Sequence, residues 1–116
     1  MGTHKDLDVW KEAMEFVVQI YSLTHDIPDS EKYGLISQMQ RAAISLPSNI
    51  SEGAARQTTK EFIQFLYIAL GSVSELETQL ILVEKLGFAQ TADYQQIANT
   101  IKSKLINLIK YLKTLK

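Results

Sequence analysis

Small and polar residues crowd one stretch of this chain, Arg41-Ala-Ala-Ile-Ser-Leu-Pro-Ser-Asn-Ile-Ser-Glu-Gly-Ala-Ala-Arg56, around an internal proline. With Arg41, Asn49, Glu52 and Arg56 presented together, it reads as a polar pocket or an interface. An enzyme in this chain would have to use it. Alternatively, Ser48, Asn49 and Ser51 satisfy backbone groups released by Pro47, which cannot donate a hydrogen bond. No other pattern carries chemistry. The chain has no cysteine, which removes disulfides, thiolate metal sites and thiol nucleophiles. His4 and His25 have no second ligand at helical spacing, and there is no Glu-x-x-His, so no metal or cofactor is expected. Neither a Gly-x-Ser-x-Gly elbow nor a phosphate-binding glycine loop occurs. Glu75 and Glu77 are two apart and point to different helix faces, so they are no carboxylate pair. Asn49-Ile-Ser51 matches a glycosylation sequon but has no secretory route. We expect no enzyme.

Charge is the second candidate feature. The net value is −1, yet residues 1–31 hold two lysines against seven carboxylates, while 94–116 hold Lys102, Lys104, Lys110, Lys113 and Lys116 with no acid. A lysine-rich face can bind RNA or DNA through phosphate. The same polarity also lets the first and last helices attract each other within one bundle. Only Tyr111 offers a stacking ring among these lysines, and a pI of about 6.1 is low for a nucleic-acid binder.

These residues need a frame, and the apolar spacing supplies it. The chain is 116 residues long, 46% hydrophobic and 22% charged, which fits one globular domain with one core. Two prolines and five glycines leave little material for the turns of an all-β fold. The polar N-terminus is no signal peptide, and the longest charge-free run, Phe62 to Ser74, is too short to span a bilayer, so a cytoplasmic protein is expected. Val9, Ala13, Phe16, Ile20 and Leu23 predict a first helix capped at Asp6 or Asp8. Beside them runs a second stripe, Trp10, Met14, Val17 and Tyr21, more than one core requires. A second helix is expected from Asp29 or Ser30, with Leu35, Met39, Ala42, Leu46 and Ile50 inward, a kink at Pro47 and a stop at Gly53. Thr58-Thr-Lys-Glu61 reads as a capping box. It opens a third helix with the seam Phe62, Leu66, Ala69, Val73, Leu76, Leu80 and Val83, ending at Gly87. A fourth helix carries Ala98, Ile101, Leu105, Leu108, Leu112 and Leu115. Connections of about four to six residues predict antiparallel neighbours. The expected fold is an all-α, up-down-up-down four-helix bundle spanning 1–116 as a single domain.

The chain also resembles the four-helix-bundle family of bacterial 23S rRNA intervening-sequence proteins. The matching residues are Asp6-Leu-Asp-Val-Trp10, Ile20-Tyr-Ser-Leu-Thr24, Tyr33-Gly-Leu35, Arg41 through Gly53, Glu61-Phe, Phe65-Leu, Ala69-Leu-Gly-Ser72 and Glu75-Leu-Glu-Thr-Gln-Leu80. Arg41, Ser45, Pro47, Asn49, Glu52, Gly53 and Arg56 form its central motif region, structural or interfacial. Gln40 departs from the family, which commonly has a basic residue there, and weakens any basic patch. The resemblance implies a homopentameric ring, which fits Trp10, Met14, Val17 and Tyr21 as an oligomer interface. A related protein, the accessory variability protein of diversity-generating retroelements, works with a reverse transcriptase and binds nucleic acid. The expected function is a non-enzymatic oligomeric scaffold or adaptor for a protein partner. The alternative is an RNA- or DNA-binding accessory protein acting through its lysines.

Overall fold

The computed structural model describes residues 3–115, the Asp6 side chain excepted. Helix α1 spans Asp8–Thr24, and its seam of Val9, Ala13, Phe16, Ile20 and Leu23 is buried throughout. Asp8 is not its cap residue, and the Asp6 side chain lies outside the described residues. A 3-10 turn, His4–Asp6, precedes it, and Leu7 occupies the cap position without a side-chain bond. Leu7 instead packs against the core, and Asp8 sits in the first turn, where a carboxylate favours the positive end of the helix.

The passage into α2 is longer than its spacing suggested. Ile27 sinks into the core ahead of Pro28, then a 3-10 turn at Asp29–Glu31 and a π-helical stretch at Lys32–Ile36 follow. Gly34 carries the break in helical geometry, with φ −114° and ψ −105°. Helix α2 therefore begins at Ser37 rather than Asp29 or Ser30, and it continues past Pro47 to Ala54 without a break. Met39, Ala42, Leu46 and Ile50 are buried as expected, whereas Leu35 lies before the helix and is half-buried. Gly53 does not stop the helix. It is buried inside the last turn, where a Cβ would come within 2.7 Å of Phe65 Cβ and 2.9 Å of Phe62 Cδ1. Glycine is needed there because α3 approaches too closely for any side chain.

Helix α3, Thr59–Lys85, starts on the expected cap. Thr58 Oγ1 accepts from the Glu61 amide at 3.1 Å and donates to Glu61 Oε1 at 2.9 Å. Six of its seven seam residues are buried, and Phe62 is half-buried. The helix ends in a Schellman turn. Gly87 takes φ +78°, its amide bonds Glu84 O, and the Phe88 amide reaches Val83 O, both at 3.0 Å. An 18-residue window of α3 reaches a mean hydropathy of 1.3, so by length and composition it could cross a membrane, contrary to the thirteen-residue estimate. Here its seam lines the bundle core.

Helix α4, Ala92–Lys113, buries Ala98, Ile101, Leu105, Ile109 and Leu112. Ile109 replaces Leu108, which is half-buried, and Leu115 lies beyond the helix and is exposed. The step of four from Leu105 to Ile109 matches a straight helix of 3.6 residues per turn better than a strict heptad. Each of α1 and α3 packs against both α2 and α4, which closes a four-helix bundle of 48 × 21 × 19 Å. Among the described residues there is no strand. The antiparallel order gathers the start of α1, the end of α2, the start of α3 and the end of α4 at one end.

Candidate functional site

The polar stretch of α2 separates into three environments. At 1.5 Å per residue, Arg41 and Glu52 stand about 16 Å apart along the axis. Arg41 and Ser45 open onto a polar cleft of about 340 Å³, shared with Gln38, Ala42 and Glu75. Asn49 belongs to the bundle wall instead. Its Nδ2 donates to Ser45 O at 2.8 Å and Ser45 Oγ at 2.9 Å. Ser45 Oγ lies 2.8 Å from Ser72 Oγ on α3, which donates to Ile68 O. Since Ser72 uses its one proton on Ile68, Ser45 must donate to Ser72, and the polar atoms form one ordered chain between helices. At the end of α2, Glu52 pairs with Arg56 at 3.1 Å, and the Arg56 guanidinium lies 4.7 Å from the Phe65 ring centroid. Ser51 Oγ donates to Ser48 O. None of these bonds reaches the Ala43 carbonyl, four residues before Pro47, so repair of the proline's missing bond is not what they do. Pro47 itself is buried.

The lysines of α4 do not share a face. Lys102 reaches across to Glu77 of α3 at 3.0 Å, and Lys104 pairs with Glu12 of α1. That bond holds the Lys104 ammonium above its usual value, with Glu12 as hydrogen-bond partner the main cause and its charge, with that of Asp8, adding to it. The attraction between the acidic first helix and the basic last one is thus realised inside the bundle at Lys104. Lys113 donates to Tyr67 Oη at 2.8 Å and lies 5.3 Å from that ring. Lys110 is exposed, and Lys116 falls outside the described residues.

The second stripe of α1 lies on the surface. Trp10 and Val17 are half-buried, whereas Met14 and Tyr21 are exposed, with Val18 further out at 66%. Trp10, Met14, Val17 and Val18, but not Tyr21, meet Ile44, Pro47, Ser48 and Ser51 of α2 in an apolar groove of about 390 Å³. His4 closes the groove's end edge-on against Trp10, with ring centroids 5.1 Å apart. On the opposite side of the bundle, α3 and α4 frame a larger groove of about 730 Å³ containing Lys60, Ile63, Tyr67, Leu112, Lys113 and Leu115.

Sequence reasoning missed several polar side chains that act between elements. Gln40, the departure from the family pattern, donates to Thr24 Oγ1 at 3.2 Å and ties α2 to α1. Thr91 is buried before α4, its hydroxyl bonded to Leu80 O and its amide to Glu84 Oε1. Gln79 is buried in α3 and donates to Glu75. No periodic signal marks such residues, because their partners are distant in sequence. Among the described residues no group of three or more histidines, cysteines or carboxylates could hold a metal.

Residues 5–110 match the family described as 23S rRNA-intervening sequence protein. A similar solved structure is a protein with unknown function from the S23 ribosomal protein family of Bacteroides thetaiotaomicron. It is 26% identical, the match covers 88% of this chain and 95% of that one, and the TM-score is 0.79. No curated protein matches the chain. Sequence match and bundle geometry agree over nearly the whole length, and the chain belongs to the 23S rRNA-intervening sequence protein family.

Proposed function

We propose that this protein is a non-enzymatic assembly module, a helical bundle that works as a homo-oligomeric scaffold or adaptor. The observation that carries this reading is the apolar row left on the α1–α2 face. Met14, Val18 and Ile44 are 44%, 66% and 47% exposed around one groove, and Tyr21, 37% exposed, extends the α1 stripe beyond it. Isolated exposed apolar residues are ordinary, but a contiguous row with its own groove marks a protein interface. A pentameric ring is the size the family resemblance suggests. Light scattering coupled to size exclusion tests it. The expected result is a species several times the 13.1 kDa chain mass, and a stable 13.1 kDa species at micromolar concentration would refute it.

Nucleic-acid binding is the second reading, supported by one cluster of cations. Arg56, Lys60, Lys110 and Lys113, all four exposed, lie toward the end of the bundle that holds the α2–α3 turn, on elements that also carry the exposed rings of Tyr67 and Tyr111. Lysine contacts to phosphate predict binding with little sequence preference that weakens steeply with salt. Fluorescence anisotropy with generic RNA and DNA at low and physiological salt tests this. Loss of binding in Lys110→Glu/Lys113→Glu with the oligomer intact supports it, and no binding even at low salt eliminates it.

A further inference from the structure

We propose that the polar cleft between α2 and α3 binds a small zwitterion, a molecule carrying a carboxylate and an ammonium as an amino acid does. Gln38, Arg41, Ala42 and Ser45 of α2 and Glu75 of α3 line about 340 Å³ there, toward the small end of the range that small-molecule sites occupy. The cleft shares no lining residue with either apolar groove, so the site does not depend on the oligomeric reading.

Spacing puts the four α2 residues on one face, since they fall at i, i+3, i+4 and i+7. The antiparallel pairing that sets Ser45 against Ser72 brings Glu75, three residues on, to the same cleft as Arg41. Buried Ala42, ending in a methyl group, leaves the space between them.

Two opposite charges thus line one cleft without pairing. Among the described residues the ion pairs are Glu52–Arg56, Glu77–Lys102 and Glu12–Lys104, and Arg41 makes no hydrogen bond, ion pair or ring contact. Glu75 is held elsewhere. Its Oε2 accepts from Gln79 Nε2 at 3.2 Å, one turn further along α3, and its Oε1 is unbonded. Gln79 is buried, and its own Oε1 has no partner. An apolar side chain at this position would avoid leaving an acceptor unmet. The buried amide instead positions Glu75 apart from Arg41.

Donors and acceptors then sort into two poles. Arg41 presents a fork of N–H groups that matches a carboxylate, with the Gln38 amide beside it. Ser45 Oγ gives its proton to Ser72 and accepts from Asn49, which leaves it one lone pair. That lone pair and Glu75 Oε1 suit an ammonium. An ion of one sign is repelled at one pole, whereas a zwitterion satisfies both.

Isothermal titration calorimetry of the full chain with glycine, β-alanine and γ-aminobutyrate tests this, with acetate and methylammonium as single-charge controls. The zwitterions differ in the distance between their charges. At least one is expected to bind saturably, in the millimolar range that a few polar contacts in an open cleft support, and neither control is. Arg41→Met and Glu75→Gln, both at exposed positions, should each weaken that binding about tenfold or more. Gln79→Met should weaken it through Glu75 while the urea midpoint holds or rises, because the unmet acceptor is gone. A Gln79→Met protein that binds like wild type overturns the positioning role. Binding by no zwitterion, acetate bound as tightly as the zwitterion, or undiminished binding in Arg41→Met overturns the site.

Discussion

Replacing Gly53 with alanine should destabilise this protein, although the same change in a helix interior ordinarily helps. The helical propensity of alanine over glycine is worth about 1 kcal/mol. At Gly53 the new Cβ would lie 2.7 Å from Phe65 Cβ and 3.2 Å from Phe62 O, and neither atom can rotate away. Reaching an ordinary carbon–carbon separation of about 3.5–4.0 Å requires α2 and α3 to part by roughly 1 Å. Overpacking of this kind costs about 1–3 kcal/mol, and with two helices displaced we take the upper part of that range. The net expectation is a loss of about 1–2 kcal/mol, or a fall in Tm of about 4–8 °C for a domain of this size. Gly71 provides the control, since nothing lies within 4 Å of a Cβ built there on exposed α3. Gly71→Ala should raise stability by about 0.5–1 kcal/mol. Urea titrations of both variants at one protein concentration measure the pair, because assembly itself shifts apparent stability. A Gly53→Ala protein as stable as wild type would refute the close-approach argument.

Other perturbations have equally direct readouts. Asn49→Ala removes both bonds to Ser45 and should cost about 1–2 kcal/mol in the same urea titration. Gly87→Ala forces a side chain into φ +78° and should cost about 1–2 kcal/mol, visible as a lower Tm with unchanged helicity. Lys104 has a folded-state pKa raised above 10.5 by Glu12, so the pair's stabilisation is complete below 10.5 and lost as pH climbs through the raised value. Chemical denaturation from pH 9 to 12 should therefore show a loss on the alkaline side that Lys104→Met reduces. The pair is exposed, so the effect is small.

The helical seams were legible because each repeats a local rule many times. Seven positions of α3 step by three and four without interruption, and the Thr58 cap and the Gly87 turn are both decided within a few residues of chain. What misled was everything decided by a neighbour distant in sequence. Gly53 precedes a turn and so resembles a stop, but the ring of Phe62 and the Cβ of Phe65 explain it. Leu108 and Ile109 are adjacent and equally apolar, and only the packing of α4 against its neighbours selects Ile109. Lys102 and Lys104 belong to an acid-free run, yet their carboxylates come from α3 and α1. The apolar surplus on α1 was visible as a second stripe, because a residue's excess over one core's need can be counted without knowing what surrounds it. The α3–α4 groove was not, since it exists only where two helices meet.

The ordered chain from Asn49 through Ser45 and Ser72 to Ile68 has a consequence for how singular the packing of α2 on α3 is. Alanine, leucine and valine contacts between two helices survive a slide of one turn, about 5.4 Å, with only modest loss. The hydroxyl pair does not, since it closes at one alignment and at others leaves two polar groups facing apolar neighbours. Ser45 and Ser72 thus act as a vernier: they add little to the depth of the native state and much to its distance from the slipped alternatives. Replacing both with alanine would leave a bundle that melts at a similar temperature but samples more than one alignment, readable as broadened amide resonances in NMR spectra along α2 and α3.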